Sequence, residues 1–557
     1  MLISLVIVFV ATGCQPAEEP ADLVLRGGKI VTMDDATPEA EALAIRGDTI
    51  VAVGSNQEIE PFVGPATEVV ELDGHLAIPG LIEGHGHFLG VGRSKMQLNL
   101  METKNWDEIV GMVAEAVDDA EPGEWIHGRG WHQEKWDKTP EPNVDGNPYH
   151  DSLSKVSPEN PVLLSHASGH ATFANAKAME LGGVTKNTEP PPGGEIVRDP
   201  SGNPIGVFRE TASRLVSPGS EWNESTVTKQ ALLAVEECLA KGITSFHDAG
   251  SSSRTIDLFR KLATEGSLGI RLYVMISGSN ETLAEELPKY RIINEGNKHL
   301  TVRSIKKLID GALGPHGAWL LEPYEDLPTS TGLNTETVEH ITETARLAIE
   351  NDYQLCVHAI GDRANRETLN IYEQAFKAHP DKTDTRWRIE HSQHLHPDDI
   401  PRFAGLGVIA AMQGIHCTSD APYVLQRLGD KRAEEGAYVW QKLMATGAVI
   451  ANGTDAPVED VDPIASYYAT VSRRLKDGTV FYPDQRMSRE EALKSYTLNN
   501  AYAAFEEDIK GSLTPGKLGD VTVVSKDIMT IPEAEIPTTE VLYTIVGGKV
   551  LYNKTDN

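Results

Sequence analysis

The chain has 557 residues, 40% hydrophobic and 24% charged, which is room for a large barrel plus a second core and ordinary for a soluble globular protein. Its 82 acidic side chains against 50 basic ones give a formal net charge of −32, which repels phosphate backbones and anionic lipid. Nucleic acid is therefore not an expected partner, and a membrane is expected only through an N-terminal anchor.

Residues 1–21 read as an export signal and linker. Met1 to Thr12 is an apolar run too short for an ordinary spanning helix, followed by Gly13-Cys14 and a polar, Pro-containing stretch. Ala11-Thr12-Gly13-Cys14 resembles the bacterial lipobox, although no Lys or Arg precedes the run and Ala11 stands where Leu is usual. That resemblance implies an exported bacterial protein of the periplasm or cell envelope, lipidated at Cys14; a plain signal peptide is the alternative. Cys238, Cys356 and Cys417 lie in apolar segments at wide spacing and are expected to be buried thiols.

Residues 22–74 alternate short apolar runs with Gly and Asp turns, and 512–557 have the same character, with Gly27-Gly28-Lys29-Ile30 echoed by Gly547-Gly548-Lys549-Val550. Both ends are expected to form one discontinuous β-sandwich. The domain between them, 75–511, holds eight apolar strand-like runs separated by helix-like stretches: 81–87, 242–248, 270–277, 302–310, 353–360, 386–391, 408–413 and 449–455. The expected fold is α/β, a (β/α)8 TIM-type barrel, with an open doubly wound sheet as runner-up. The long stretch between the first two runs, 95–225, is expected to be an inserted α+β cap that shapes substrate choice.

On the first run, His85 and His87 are one residue apart, so a strand sends both to the same face, as two ligands of one metal require. Spacing alone is weak: 18 His in 557 residues produce roughly 0.6 such pairs by chance. A second pair, His394 and His396, precedes Pro397-Asp398-Asp399 and is expected to be solvated. Placement separates the two. At the ends of other predicted strands stand His358, His391 and Asp455, where a barrel collects its chemistry. The fourth strand carries Lys306-Lys307, and alternation must send one of them inward, where a charge needs a partner or a chemical modification.

These segments, with Gly128-Arg129-Gly130-Trp131, Val357-His358-Ala359-Ile360-Gly361-Asp362, Ile389-Glu390-His391 and Gly453-Thr454-Asp455-Ala456-Pro457, resemble the amidohydrolase superfamily. The match is to the amidohydrolase-3 group, which includes YtcJ-like proteins and N-substituted formamide deformylases. The resemblance implies one or two divalent metals per chain, held by His85, His87 and Asp455, and by His358 and His391. A carbamate formed from carbon dioxide on Lys306 would be shared between them; Lys307 is the alternative. Zinc suits the imidazole ligands, with Fe, Mn or Ni also compatible.

The expected reaction is hydrolysis of a non-peptide amide-type C–N bond in a small molecule such as an N-formyl or N-acyl amine or an imide. A metal-bound hydroxide would attack and Asp455 would act as base. Ester or lactone hydrolysis at the same site, or a non-catalytic binding lipoprotein on this scaffold, are the alternatives. Arg129, Trp131 and His170 in the cap and Gln413 on the seventh strand are the expected substrate contacts.

Overall fold

A computed structural model describes residues 19–133, 136–167, 169, 171–191, 194–217 and 222–554. The expected export signal, Cys14 and His170 lie outside these residues. No helix among the described residues is long and apolar enough to cross a membrane. The chain divides into two compact units, Met1–Leu81 with Thr497–Asn557, and Ile82–Tyr496.

In the first unit, strands from both chain ends share one sheet. Val521–Val524 pairs antiparallel with Leu76–Pro79 on one side and Val541–Val546 on the other, in a six-stranded sheet completed by Lys549–Asn553, Lys29–Val31 and Glu39–Ala40. A four-stranded sheet, ordered Thr49–Gly54, Ala42–Arg46, Leu23–Arg26 and Glu68–Glu71, contributes Leu23, Leu25, Leu43 and Ile45 to a core completed by Ile30, Ala77, Val521, Val523 and Ile545. Alternation along short strands puts one apolar set on the face shared by the two sheets.

The second unit is built on eight parallel strands in sequential order: β1 Leu81–Gly86, β2 Ile243–Ser251, β3 Arg271–Ile276, β4 Leu300–Leu308, β5 Gln354–Ala359, β6 Arg388–His391, β7 Ile409–Gln413 and β8 Ile450–Gly453. They are largely buried on both faces, as helix-covered parallel strands are; every residue of β3 is buried. Several crossover helices start on a capping side chain: Ser252, Ser279, Thr337 and Asp462 each accept a backbone N–H of the first turn.

The ring nearly closes where β8 meets β1. Asp455 N donates to His85 O at 2.8 Å and His87 N to Ala456 O at 2.7 Å. The Glu83 carboxylate accepts from Thr454 N at 2.6 Å and Thr454 Oγ1 at 3.1 Å. Gly453 is required at this seam, because a Cβ there would sit 2.5 Å from Glu83 Oε1 and from His85 N. The seam itself thus positions His85, His87 and Asp455.

Between β1 and β2 lies a six-stranded mixed sheet in the order Gly194–Arg198, Pro204–Glu210, Ala171–Ala174, Val162–His166, Ile126–Trp131, Leu98–Asn99. Helix Trp106–Asp118, capped by Asn105, packs on it, and Trp106, Ile109, Val113, Trp131, Val162 and Phe173 share one core. Gly130 at φ 110° accompanies a bulge between Arg129 and Trp131, which returns Trp131 to the face of Ile126. Trp131 is 1% exposed and donates its indole N–H to Leu164 O at 2.8 Å. Trp131→Ala is expected to cost the cap about 3–5 kcal/mol, read as faster hydrogen exchange at the amides of Val162–His166; unchanged protection would show that the indole is not a core anchor.

Candidate active site

The C-terminal ends of the barrel strands gather six side chains named from the sequence. His85 Nε2 lies 3.4 Å and His87 Nε2 3.2 Å from Asp455 Oδ1. Lys306 Nζ is 3.4 Å from His85 Nε2. The His391 ring sits 4.8 Å from that of His85 and 4.4 Å from that of His358, centroid to centroid. One ligand atom each from His85, His391 and Asp455 fall within 4.8 Å of one another.

The strand register separates the two lysines. Lys306 is opposite Cys356 on β5, faces the barrel interior and is 5% exposed. Lys307 faces the helices, where Nζ donates to Gly278 O at 3.0 Å and stands 3.0 Å from His340 Nε2. The Asp310 carboxylate, after β4, accepts from Trp319 N, Ile360 N and Gly361 N at 2.9, 3.0 and 2.8 Å.

Burial sets the protonation of the group. It pushes the Lys306 amine down from its usual range, against the opposing pull of Glu390 and Asp455. Burial, reinforced by Lys306, brings His358 down to about 3, and burial with His358 and His85 holds His391 well below the usual imidazole value. Asp455 goes the other way: burial alone would raise it, but His85 and His87 keep its carboxyl well below the carboxylate range. His358 and His391 are thus held neutral beside the Asp455 carboxylate. His391 at φ 76° and Asp455 at φ 59° both take left-handed backbone, a conformation that clusters at functional sites.

Two partners fix which ring nitrogen is free. Glu390 Oε2 accepts from His85 Nδ1, so the lone pair of that ring is on Nε2, the atom facing Asp455 and Lys306. Gln413 Oε1 accepts from His391 Nδ1 at 2.7 Å, with the same consequence. The structure therefore places Gln413 behind a histidine. Arg129 is half-buried on the cap strand and donates Nη2 to Ala167 O at 3.2 Å, whereas Trp131 lies inside the cap core.

The pair Arg388 and Glu390 went unrecognised as functional in the sequence. Arg388 Nε is 2.7 Å from Glu390 Oε1, and Nη2 donates to Glu390 Oε2 at 2.9 Å and to Gly84 O at 2.7 Å, with both residues fully buried. Burial would raise Glu390, yet Arg388 and His85 hold it well below the carboxylate range. The signal was available: an Arg-x-Glu pair on a buried strand puts opposite charges on one face next to the candidate ligand His391.

His394 corrects an expectation. It is 2% exposed, not solvated, because its N–H donates to Ile360 O at 3.1 Å and its carbonyl accepts from Asn365, tucking the segment after β6 under the barrel end. His396 remains at the surface, 3.5 Å from Asp398. Cys238, Cys356 and Cys417 are free and buried.

The comparisons agree with this architecture. The profile of the amidohydrolase family, Amidohydro_3, matches residues 68–552. Protein LONG AFTER FAR-RED 3 of Arabidopsis thaliana is 34% identical over 96% of this chain and 92% of its own length. N-substituted formamide deformylase of Arthrobacter pascens is 25% identical over 96% of this chain and 99% of its own. Among solved structures, a metal-dependent hydrolase of Pyrococcus furiosus, described as uncharacterized, superposes with a TM-score of 0.73 at 26% identity, covering 91% of this chain and all of that one. With a profile spanning nearly the whole chain and a barrel that collects its histidines at one end, this protein belongs to the amidohydrolase family.

Proposed function

We propose that the protein is a metal-dependent hydrolase of a non-peptide amide-type C–N bond in a small molecule. The observation that carries this is the convergence of His85, His87, His358, His391, Lys306 and Asp455 at the mouth of one barrel. Support for the bond type comes from the similarity to N-substituted formamide deformylase.

The residues fit a divalent metal. Among the described residues His358 Nε2 is buried with no hydrogen-bond partner, with Asp310 Oδ1 at 3.7 Å, and neutral imidazole and carboxylate donors are the set that zinc and its neighbours prefer. His85, His87 and Asp455 would hold one ion, His358 and His391 a second, with Lys306 between them. Bound there, the metal would supply Lewis acidity and a water acidic enough to ionise near neutral pH. Burial pushes Lys306 toward its neutral form, whose amine lone pair is what addition to carbon dioxide would need. Asp455, ionised and between two imidazoles, is placed to take a proton and return it to the leaving nitrogen. Glu390 and Gln413 keep Nε2 of His85 and His391 available.

The test is metal content per chain by mass spectrometry, with hydrolysis of paired N-formyl or N-acyl amines and their ester counterparts. About two metals and a preference for amides support the proposal; no metal after reconstitution with zinc and bicarbonate overturns it. In the same assay Lys306→Ala is expected to lose about half the metal or more, while Lys307→Ala, whose parent side chain faces the helices, keeps the full complement. Equal loss in both variants would remove Lys306 from the site.

A further inference from the structure

Arg129 differs from Arg388 and Arg473, the two fully buried arginines of this unit. Arg388 is neutralised by Glu390, and Arg473 donates Nε to Phe481 O at 2.6 Å and Nη1 to Tyr438 O at 3.0 Å. Among the described residues Arg129 makes one hydrogen bond, to Ala167 O, and no carboxylate pairs with it. Among the same residues its buried Nε has no acceptor. A guanidinium in that state is costly, and its planar fork matches a carboxylate.

Position adds to chemistry. Arg129 and His127 share a face of the cap strand by alternation, and both are half-buried. Burial pushes the Arg129 guanidinium down against the opposing charge of Asp455, while burial and then Arg93, on the helix directly following β1, push His127 toward its neutral form. Arg129 is therefore the cation of this cap face and feels the charge of Asp455, in a chain whose net charge of −32 otherwise repels anions.

We propose that Arg129 is a specificity-determining residue that pairs with a carboxylate carried by the substrate, so that the substrate class is an amide bearing an acid group, of which N-formyl and N-acetyl amino acids are the simplest members. This rests on the hydrolase assignment above. A carboxylate here would occupy the donors that the protein leaves unused.

The test uses the zinc-loaded protein with N-formyl and N-acetyl amino acids, each matched to the corresponding N-acylated amino alcohol, in which hydroxymethyl replaces the carboxylate. The parent is expected to favour the acids, and Arg129→Gln to lower the acid-to-alcohol ratio of kcat/KM at least about 30-fold, chiefly through KM, with Arg129→Lys restoring part of it. An unchanged ratio, or a parent that favours the alcohols, overturns the proposal. Calorimetric binding of the same acids to parent and Arg129→Gln keeps the two claims apart. Acid binding that needs Arg129 without hydrolysis of either series sinks the hydrolase assignment alone. Failure of the acids to bind the parent, or equal binding to both proteins, sinks the role of Arg129.

Discussion

Asp455→Asn is expected to lower kcat by about 10²–10⁴-fold on any amide that the parent hydrolyses, the range that a positioned acid–base group contributes. The side chains are nearly isosteric, but the amide cannot accept a proton, and the parent carboxyl is held ionised by His85 and His87. Folding should survive: residue 455 sits at φ 59°, and Asn is among the few residues that tolerate left-handed backbone. Circular dichroism and metal analysis accompany the kinetics, since Asn is also a weaker ligand. A correctly folded, metal-loaded variant within tenfold of the parent would remove Asp455 from the proton-transfer role.

Glu390→Gln is expected to be the most destabilising single change at the site. It leaves Arg388 as an uncompensated buried cation, and breaking such a pair from one side costs about 3–5 kcal/mol. It also replaces the ionised acceptor of His85 Nδ1, so zinc affinity should fall about 10–100-fold, as when the partner of a ligating histidine is lost. The double variant Arg388→Met with Glu390→Leu separates the two effects: removing both charges should recover much of the stability but none of the affinity. Urea unfolding and zinc titration read the two quantities. A Glu390→Gln protein as stable as the parent would show that the pair is not the electrostatic anchor of β6.

What could be read without coordinates was whatever depends on local periodicity. Side chains alternate along a strand, so His85 and His87 had to share a face, and eight apolar runs punctuated by helix-like stretches already implied eight parallel strands. Strand-end positions likewise identified His358, His391 and Asp455, because a barrel exposes its chemistry at those ends. The same alternation stated that one of Lys306 and Lys307 faced inward without saying which. A shift of register by one residue exchanges them, and the pairing of Lys306 with Cys356 is a property of two strands.

The remainder depended on groups far apart in sequence. Glu390 becomes the partner of His85 across 305 residues only once the barrel closes. Gly453 is indispensable only because Glu83 and the His85 backbone occupy the space its Cβ would need. Trp131 and Arg129, two positions apart, looked equivalent until the bulge at Gly130 sent one into the cap core and left the other half-exposed. The sequence by itself determined the barrel and which side chains stand at its strand ends, since these follow from patterns within single strands. Tertiary structure alone decided which lysine turns inward and which ring nitrogens of His85 and His391 are hydrogen-bonded, since those follow from contacts between strands that the chain order does not specify.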